Sequence, residues 1–276
     1  MGNPSSCSVV YAALMPHAPV LIPSVGLDRA GRIESTVAAM REAAGSGAAT
    51  NADAVVVISP HAPREPEAFG IWTGERLRGT LEAFGAPAEG VDFQNDVTFA
   101  AQIAHHAAKR GMRTRPVADL ALDHGSVVPL WFFAETGWRG PVVAAGLSLA
   151  DHFKVVEFGE AIAEAGACAG RRVALIASGD MSHRLGVRRA FDPRGAEFDH
   201  WLINTLRRGS YRELLDFSPD LEEAAEEDAL DTLLVALGAT GFSADGNEFL
   251  SYEAPFGVGY GVAILHSEAP PHSDKP

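Results

Sequence analysis

Residues 54–63 read AVVVISPHAP. The run 54–58 is apolar throughout and mostly β-branched, which favours an extended chain, and it lacks the alternation of a half-exposed strand, so both of its faces are covered. Ser59 and Pro60 then end the run and deliver His61 to the turn that follows. The stretch predicts a central strand of a mostly parallel sheet, with a histidine at its carboxyl end. Four further runs repeat the pattern: SVVYAALM (8–15), PVVAAGLSL (141–149), RVALIASGD (172–180) and YGVAILH (260–266). Segments of helical period lie between them: 29–44 with Ile33, Val37 and Met40 on one face, 97–110, and 195–208 with Phe198, Leu202 and Leu206. Residues 218–241 open on Ser-Pro, load the first turns with carboxylates and run apolar to a glycine, which predicts one long helix. Strands alternating with helices make the class α/β. No Gly/Ser-rich linker and no fixed-period repeat divides the chain, so residues 1–266 read as a single domain, and the Pro-rich, polar stretch 267–276 as a disordered tail.

Charge narrows the partners. Lys and Arg total 22 against 36 Asp and Glu, a formal charge of −14, so the chain has no basic surface with which to neutralise phosphates. Nucleic acid and anionic membranes are excluded as partners on that reading. The two cysteines, Cys7 and Cys168, are too few for a disulfide framework or a thiolate metal cage, and with no secretory leader or membrane-length apolar run the expected setting is the cytoplasm. The apolar segment VVPLWFFAETGW (127–138) reads as core or as a contact between subunits of a homo-oligomer.

Three strand ends finish in a histidine-bearing turn: LMPHAP after the first, ISPHAP after the second and IASGDMSH after the fourth. Ligands of open α/β sheets bind at the carboxyl ends of the strands, so His17, His61 and His183 are expected to meet there although they are far apart in sequence. His124, in LDHGSVVPL, follows a carboxylate and precedes a glycine. His105 and His106 fall inside a helical pattern, and His152, His200, His266 and His272 lack a motif, so these six read as structural or surface residues. Two imidazoles suit Fe, Zn, Cu or Ni, and one added carboxylate makes the triad of non-haem Fe(II) enzymes that activate oxygen. The residues alone leave that carboxylate open, between the cluster Glu222, Glu223, Glu226, Glu227, Asp228 and the isolated Glu253.

The set MPHAPVLIP, ISPHAP, FGAP, LDHGSVVPLWFF, GLSL, IASGDMSHRL and LSYEAPFGVGYGVA, in that order over residues 10 to 266, resembles the LigB-like superfamily of class III extradiol ring-cleavage dioxygenase B subunits. Within it the chain is most similar to the branch near Memo and the AmmeMemoRadiSam proteins. The resemblance implies an α/β domain with a metal, normally Fe(II) with Zn, Mn or Cu as alternatives, held by His17, His61 and a carboxylate ahead of LLVALGA. Matched in register, that carboxylate is Glu227, with Glu226 and Asp228 as neighbours in a shifted register, since AEEDA (225–229) stands where relatives often carry Ala-Glu-Cys-Gly. Glu253 is expected near the pocket but not on the metal. His183 matches the acid–base histidine, and His124 the histidine that faces dioxygen, held by a neighbour such as Asp123. The implied reaction is cleavage of a catechol-like or aminophenol-like ring by O2; the alternatives are a Memo-like metal-binding or redox-linked protein without ring cleavage, and a Zn hydrolase on the same scaffold.

Overall fold

The five apolar runs become the strands that carry the site. The computed structural model describes residues 8–149, 151–186 and 191–268. Cys7 and the stretch 269–276 of the expected tail lie outside the described residues. In chain order the strands are β1 (Val9–Met15), β2 (Ala54–Ser59), β3 (Ala68–Trp72), β4 (Arg76–Leu81), β5 (Ala86–Gln94), β6 (Arg113–Val117), β7 (Val142–Gly146), β8 (Val173–Ser178), β9 (Glu248–Glu253) and β10 (Tyr260–Ser267). The helices are α1 (Pro23–Gly26), α2 (Glu34–Ala49), α3 (Val97–Lys109), α4 (His124–Glu135), α5 (His152–Ala169), α6 (Pro193–Arg208), α7 (Pro219–Ala225) and α8 (Leu230–Ala239).

Among the described residues one sheet runs β6-β3-β7-β2-β8-β1-β10-β9, and β4 pairs with β5 in a separate hairpin. The central four strands, β7, β2, β8 and β1, are mutually parallel, and β10 closes on β1 in the opposite direction. Every residue of β1, β2, β7 and β8 is buried, as continuous hydrophobicity requires of strands covered on both faces. Alternate residues divide between two cores. Val56 and Ile58 join the side formed with α3, α5, α6 and α8, and Val55 and Val57 the side formed with α2, α4 and the hairpin. The segment 127–138 belongs chiefly to the second core, where Val127, Val128, Leu130, Phe132 and Phe133 of α4 are fully buried.

Three departures from the sequence reading have local causes. The helix expected over 218–241 is two helices, because Glu226 takes a left-handed conformation (φ 48°) that ends α7, and α8 begins only at Leu230. The helix expected to start at residue 29 starts at Glu34, preceded by a 3-10 turn over Leu27–Arg32. Strand β10 continues through Ser267, and the Glu268 amide donates to the Val10 carbonyl, so the pairing with β1 extends past residue 266.

Helices α5 and α8 meet backbone to backbone. A Cβ built on Gly159 would stand 2.0 Å from the Val235 carbonyl oxygen, and one on Gly238 would stand 2.3 Å from that of Val156. Gly159→Val therefore forces the two helices apart and is expected to destabilise the fold by about 3 kcal/mol. Denaturant unfolding reads this directly, and an unchanged midpoint would show that the crossing has slack.

Candidate metal centre

Parallel strands end on the same side of a sheet, and here the ends carry the chemistry. Met15 lies opposite Ser178, and Ile58 opposite Ala177, so the turns after β1, β2 and β8 leave the sheet at one level. Prolines 16 and 60 stop the strands and bring His17, buried, and His61, exposed at the cleft, side by side. Their Nε2 atoms face each other at 2.9 Å, and Asp228 Oδ2 lies 3.4 Å from the first and 3.3 Å from the second. Donor atoms on a single ion at about 2.1 Å sit roughly 3 to 3.4 Å apart, so the spacing fits one transition-metal ion. The charge balance agrees. His17 is buried, which by itself lowers its pKa, yet the carboxylates of Asp180 and Asp228 outweigh burial and raise it to about 9. Two imidazole nitrogens and a carboxylate at this range favour a shared cation, a place that either a proton or a metal ion fills.

His124 completes a histidine triangle, its ring centroid 4.2 Å from that of His61 and 5.4 Å from that of His17. One ring nitrogen from each of the three lies within 4.8 Å of the others, so the same cluster offers a third nitrogen. Burial, then the positive charge of His61 and His17, pushes the His124 pKa down to about 4, which keeps that ring neutral.

The carboxylate that the structure places beside His17 and His61 is Asp228, the shifted-register alternative, and not the expected Glu227. Glu227 turns toward α8, where its Oε2 accepts from the amides of Ala229 (2.6 Å) and Leu230 (2.8 Å), two donors that a helix start leaves unpaired. Burial pushes its carboxyl well above the usual range despite those bonds. Asp228 is clamped to the β8 turn: its amide donates to the Asp180 carbonyl, and its Oδ1 accepts from the Asp180 amide at 2.7 Å. Burial would raise the Asp228 pKa, but His17 and His61 hold it far below the carboxylate range. A Cβ on Gly179 would meet the Ala229 Cα at 2.4 Å, so glycine there lets the break between α7 and α8 settle on the β8 turn. Glu226 points away into an ion pair with Arg184.

Asp123 also departs from its expected role. It caps α4, accepting from the Ser126 amide at 3.1 Å, and takes the Ser59 hydroxyl at 2.5 Å; its carboxylate thus braces the β2 end and not the His124 ring. Glu253 accepts from the amide and hydroxyl of Thr36 (2.8 and 2.7 Å), in the first turn of α2, which places it off the metal. His183 does reach the cleft. Its Nδ1 donates to the Glu226 carbonyl at 2.7 Å, an oxygen exposed by the left-handed residue, and the turn that carries it is pinned by Asp199, which accepts from the Ser182 amide at 2.8 Å.

A cleft of about 600 Å³ opens over these groups, within the range of small-ligand sites. His17, His61, His124, Asp180 and His183 line its floor, and Phe84, Phe256, Val258 and Tyr260 its walls. Phe84 comes from the turn of the β4–β5 hairpin, with its ring 5.1 Å from that of His124. Arg29 stands at the rim, held by the carbonyls of Gly26 and Val25. Sequence reasoning gave no role in the pocket to Phe84, although it opens the FGAP motif, or to Arg29, which lies in no motif, and it passed over Asp180 although that residue sits inside IASGDMSH. His152, read as structural, lies 3.4 Å from Asp231, which also faces Arg64 of the His61 turn at 3.5 Å.

Comparison with known proteins matches residues 11–263 to the family described as the catalytic LigB subunit of aromatic ring-opening dioxygenase. Protein CA_C1420 of Clostridium acetobutylicum is 26% identical over 265 residues, covering 92% of this chain; the chain spans 57% of that relative's length. The crystal structure of the uncharacterized protein JW3007 from Escherichia coli K12 superposes with a TM-score of 0.63 at 16% identity, over 92% of this chain and 98% of that one. That structural likeness speaks for the fold alone.

Proposed function

The chain belongs to the LigB family of catalytic subunits of aromatic ring-opening dioxygenases, and from that premise we propose that it is a non-haem Fe(II) extradiol dioxygenase acting on a catechol-like or aminophenol-like ring with O2. The observation that carries the reading is the convergence of His17 Nε2, His61 Nε2 and Asp228 Oδ2 on one point under the cleft. Two imidazoles and a carboxylate on one side leave the opposite side open, the donor set of iron centres that bind substrate and oxygen together. Iron(II) held there would supply the redox link between ring and dioxygen, a step no side chain can perform.

The remaining tasks belong to the protein. His183 is the proton acceptor: with Nδ1–H committed to the Glu226 carbonyl, Nε2 keeps its lone pair and can take a hydroxyl proton from the ring and later return it. His124, neutral and beside His61, has a hydrogen to donate to charge developing on oxygen. Phe84 and Phe256 offer apolar walls to a planar ring and keep water from its faces. The Memo-like alternative, in which a thiolate stands among the ligands, is disfavoured here, because Cys168 is exposed near the carboxyl end of α5 and Asp228 supplies the third donor.

Elemental analysis of anaerobically purified protein, followed by oxygen uptake over a panel of catechols and aminophenols, tests the proposal. About one iron per chain with ring-dependent uptake supports it; metal without uptake on any ring would transfer the protein to the Memo-like reading.

A further inference from the structure

Helix α4 begins HGSVVP (124–129), with its proline inside the helix. Proline has no N–H, so the Gly125 carbonyl, four residues earlier, lacks the donor that a helix would otherwise bring to it. That carbonyl accepts the hydroxyl hydrogen of Ser178 instead. Ser178 ends β8 and is fully buried. A hydroxyl has one hydrogen, and with it committed to Gly125 the Ser178 oxygen can only accept at His17 Nδ1, 3.0 Å away. Nδ1 therefore carries the ring hydrogen, and the other nitrogen, Nε2, is the one that faces His61 and Asp228. The approach of α4 depends on the missing side chain of Gly125 as well: a Cβ there would stand 2.4 Å from Ser59 Oγ and 3.3 Å from His61 Cδ2.

We propose that Pro129 and Ser178 are positioning residues of the metal centre: Pro129 frees the Gly125 carbonyl, that carbonyl aligns the Ser178 hydroxyl, and Ser178 holds His17 in the form that presents Nε2 to the metal. The inference rests on the reading of His17, His61 and Asp228 as the metal-binding set. Its reason is local. An imidazole free to place its hydrogen on either nitrogen must surrender the unproductive form before it binds, and groups behind a ligand that remove this choice typically contribute tenfold to hundredfold in affinity.

Cobalt(II) titrated into the metal-stripped full chain, against a competing chelator and with the visible cobalt spectrum recorded, tests the relay. Ser178→Ala is expected to bind cobalt about tenfold to hundredfold more weakly with an altered spectrum. Pro129→Ala restores an N–H to the helix, so its unfolding midpoint should be unchanged or higher while its cobalt affinity falls. The double variant should bind no worse than Ser178→Ala alone, because both changes break one chain of contacts. Wild-type affinity in Ser178→Ala, unchanged affinity in Pro129→Ala, or losses that multiply in the double variant would each overturn the proposal. A wild-type chain that binds no cobalt, iron or zinc would overturn the metal reading itself and this inference with it.

Discussion

Asp228→Ala lowers the affinity for iron(II) or cobalt(II) by at least about a hundredfold and abolishes oxygen uptake, whereas Glu227→Gln keeps one metal per chain. The two residues are adjacent and both acidic, so composition and charge predict the same result for either. Geometry separates them. Asp228 Oδ2 stands 3.3 to 3.4 Å from both imidazoles, while Glu227 is turned to the first amides of α8. Removing Asp228 takes away the one negative charge among three donors and leaves two imidazole nitrogens 2.9 Å apart without the carboxylate that faces both of them. A glutamine at 227 can still accept from Ala229 and Leu230 through its carbonyl oxygen, so the helix start survives. Metal analysis of the two purified variants decides the matter, and loss of metal from Glu227→Gln with retention in Asp228→Ala would reverse the assignment.

His183→Ala is expected to keep its metal and lose about 10² to 10⁴ in kcat, the usual contribution of a positioned acid–base group. The residue lines the cleft but is not among the groups that converge on the ion, so its removal should leave elemental content and the cobalt spectrum unchanged. Its orientation is held from behind by the Glu226 carbonyl, and its turn by the Asp199–Ser182 bond. Steady-state oxygen uptake beside metal content separates this role from a structural one. Full activity in the variant would assign the proton transfer elsewhere, with His124 the nearest alternative.

Much of the fold was legible because it rests on local, periodic signals. The buried runs at β1, β2, β7, β8 and β10 are uninterrupted in sequence and fully buried in the structure, and α3 and α6 follow their amphipathic spacing closely. Strands β3 and β6 escaped notice: they are five residues each, and RTRPV in β6 has the composition of a loop. Likewise β4 and β5 form a hairpin with one face on the second core and the other in solvent, and glycine, alanine and proline blur the alternation in β5.

The site divides along the same line. Sequence by itself determined that His17, His61 and His183 stand at strand ends, since a proline stop or a Gly-Asp turn after a buried run has few outcomes, and parallel strands must open to one side. Which carboxylate joins them was a tertiary decision. A left-handed residue at Glu226 breaks what reads as one helix, and in that break a single residue of register selects between capping α8 and facing the imidazoles. The clamp that makes the selection is the pair of bonds between Asp228 and Asp180, 48 residues apart. No propensity encodes such a bond, because it exists only once α7 and α8 have packed against the end of β8.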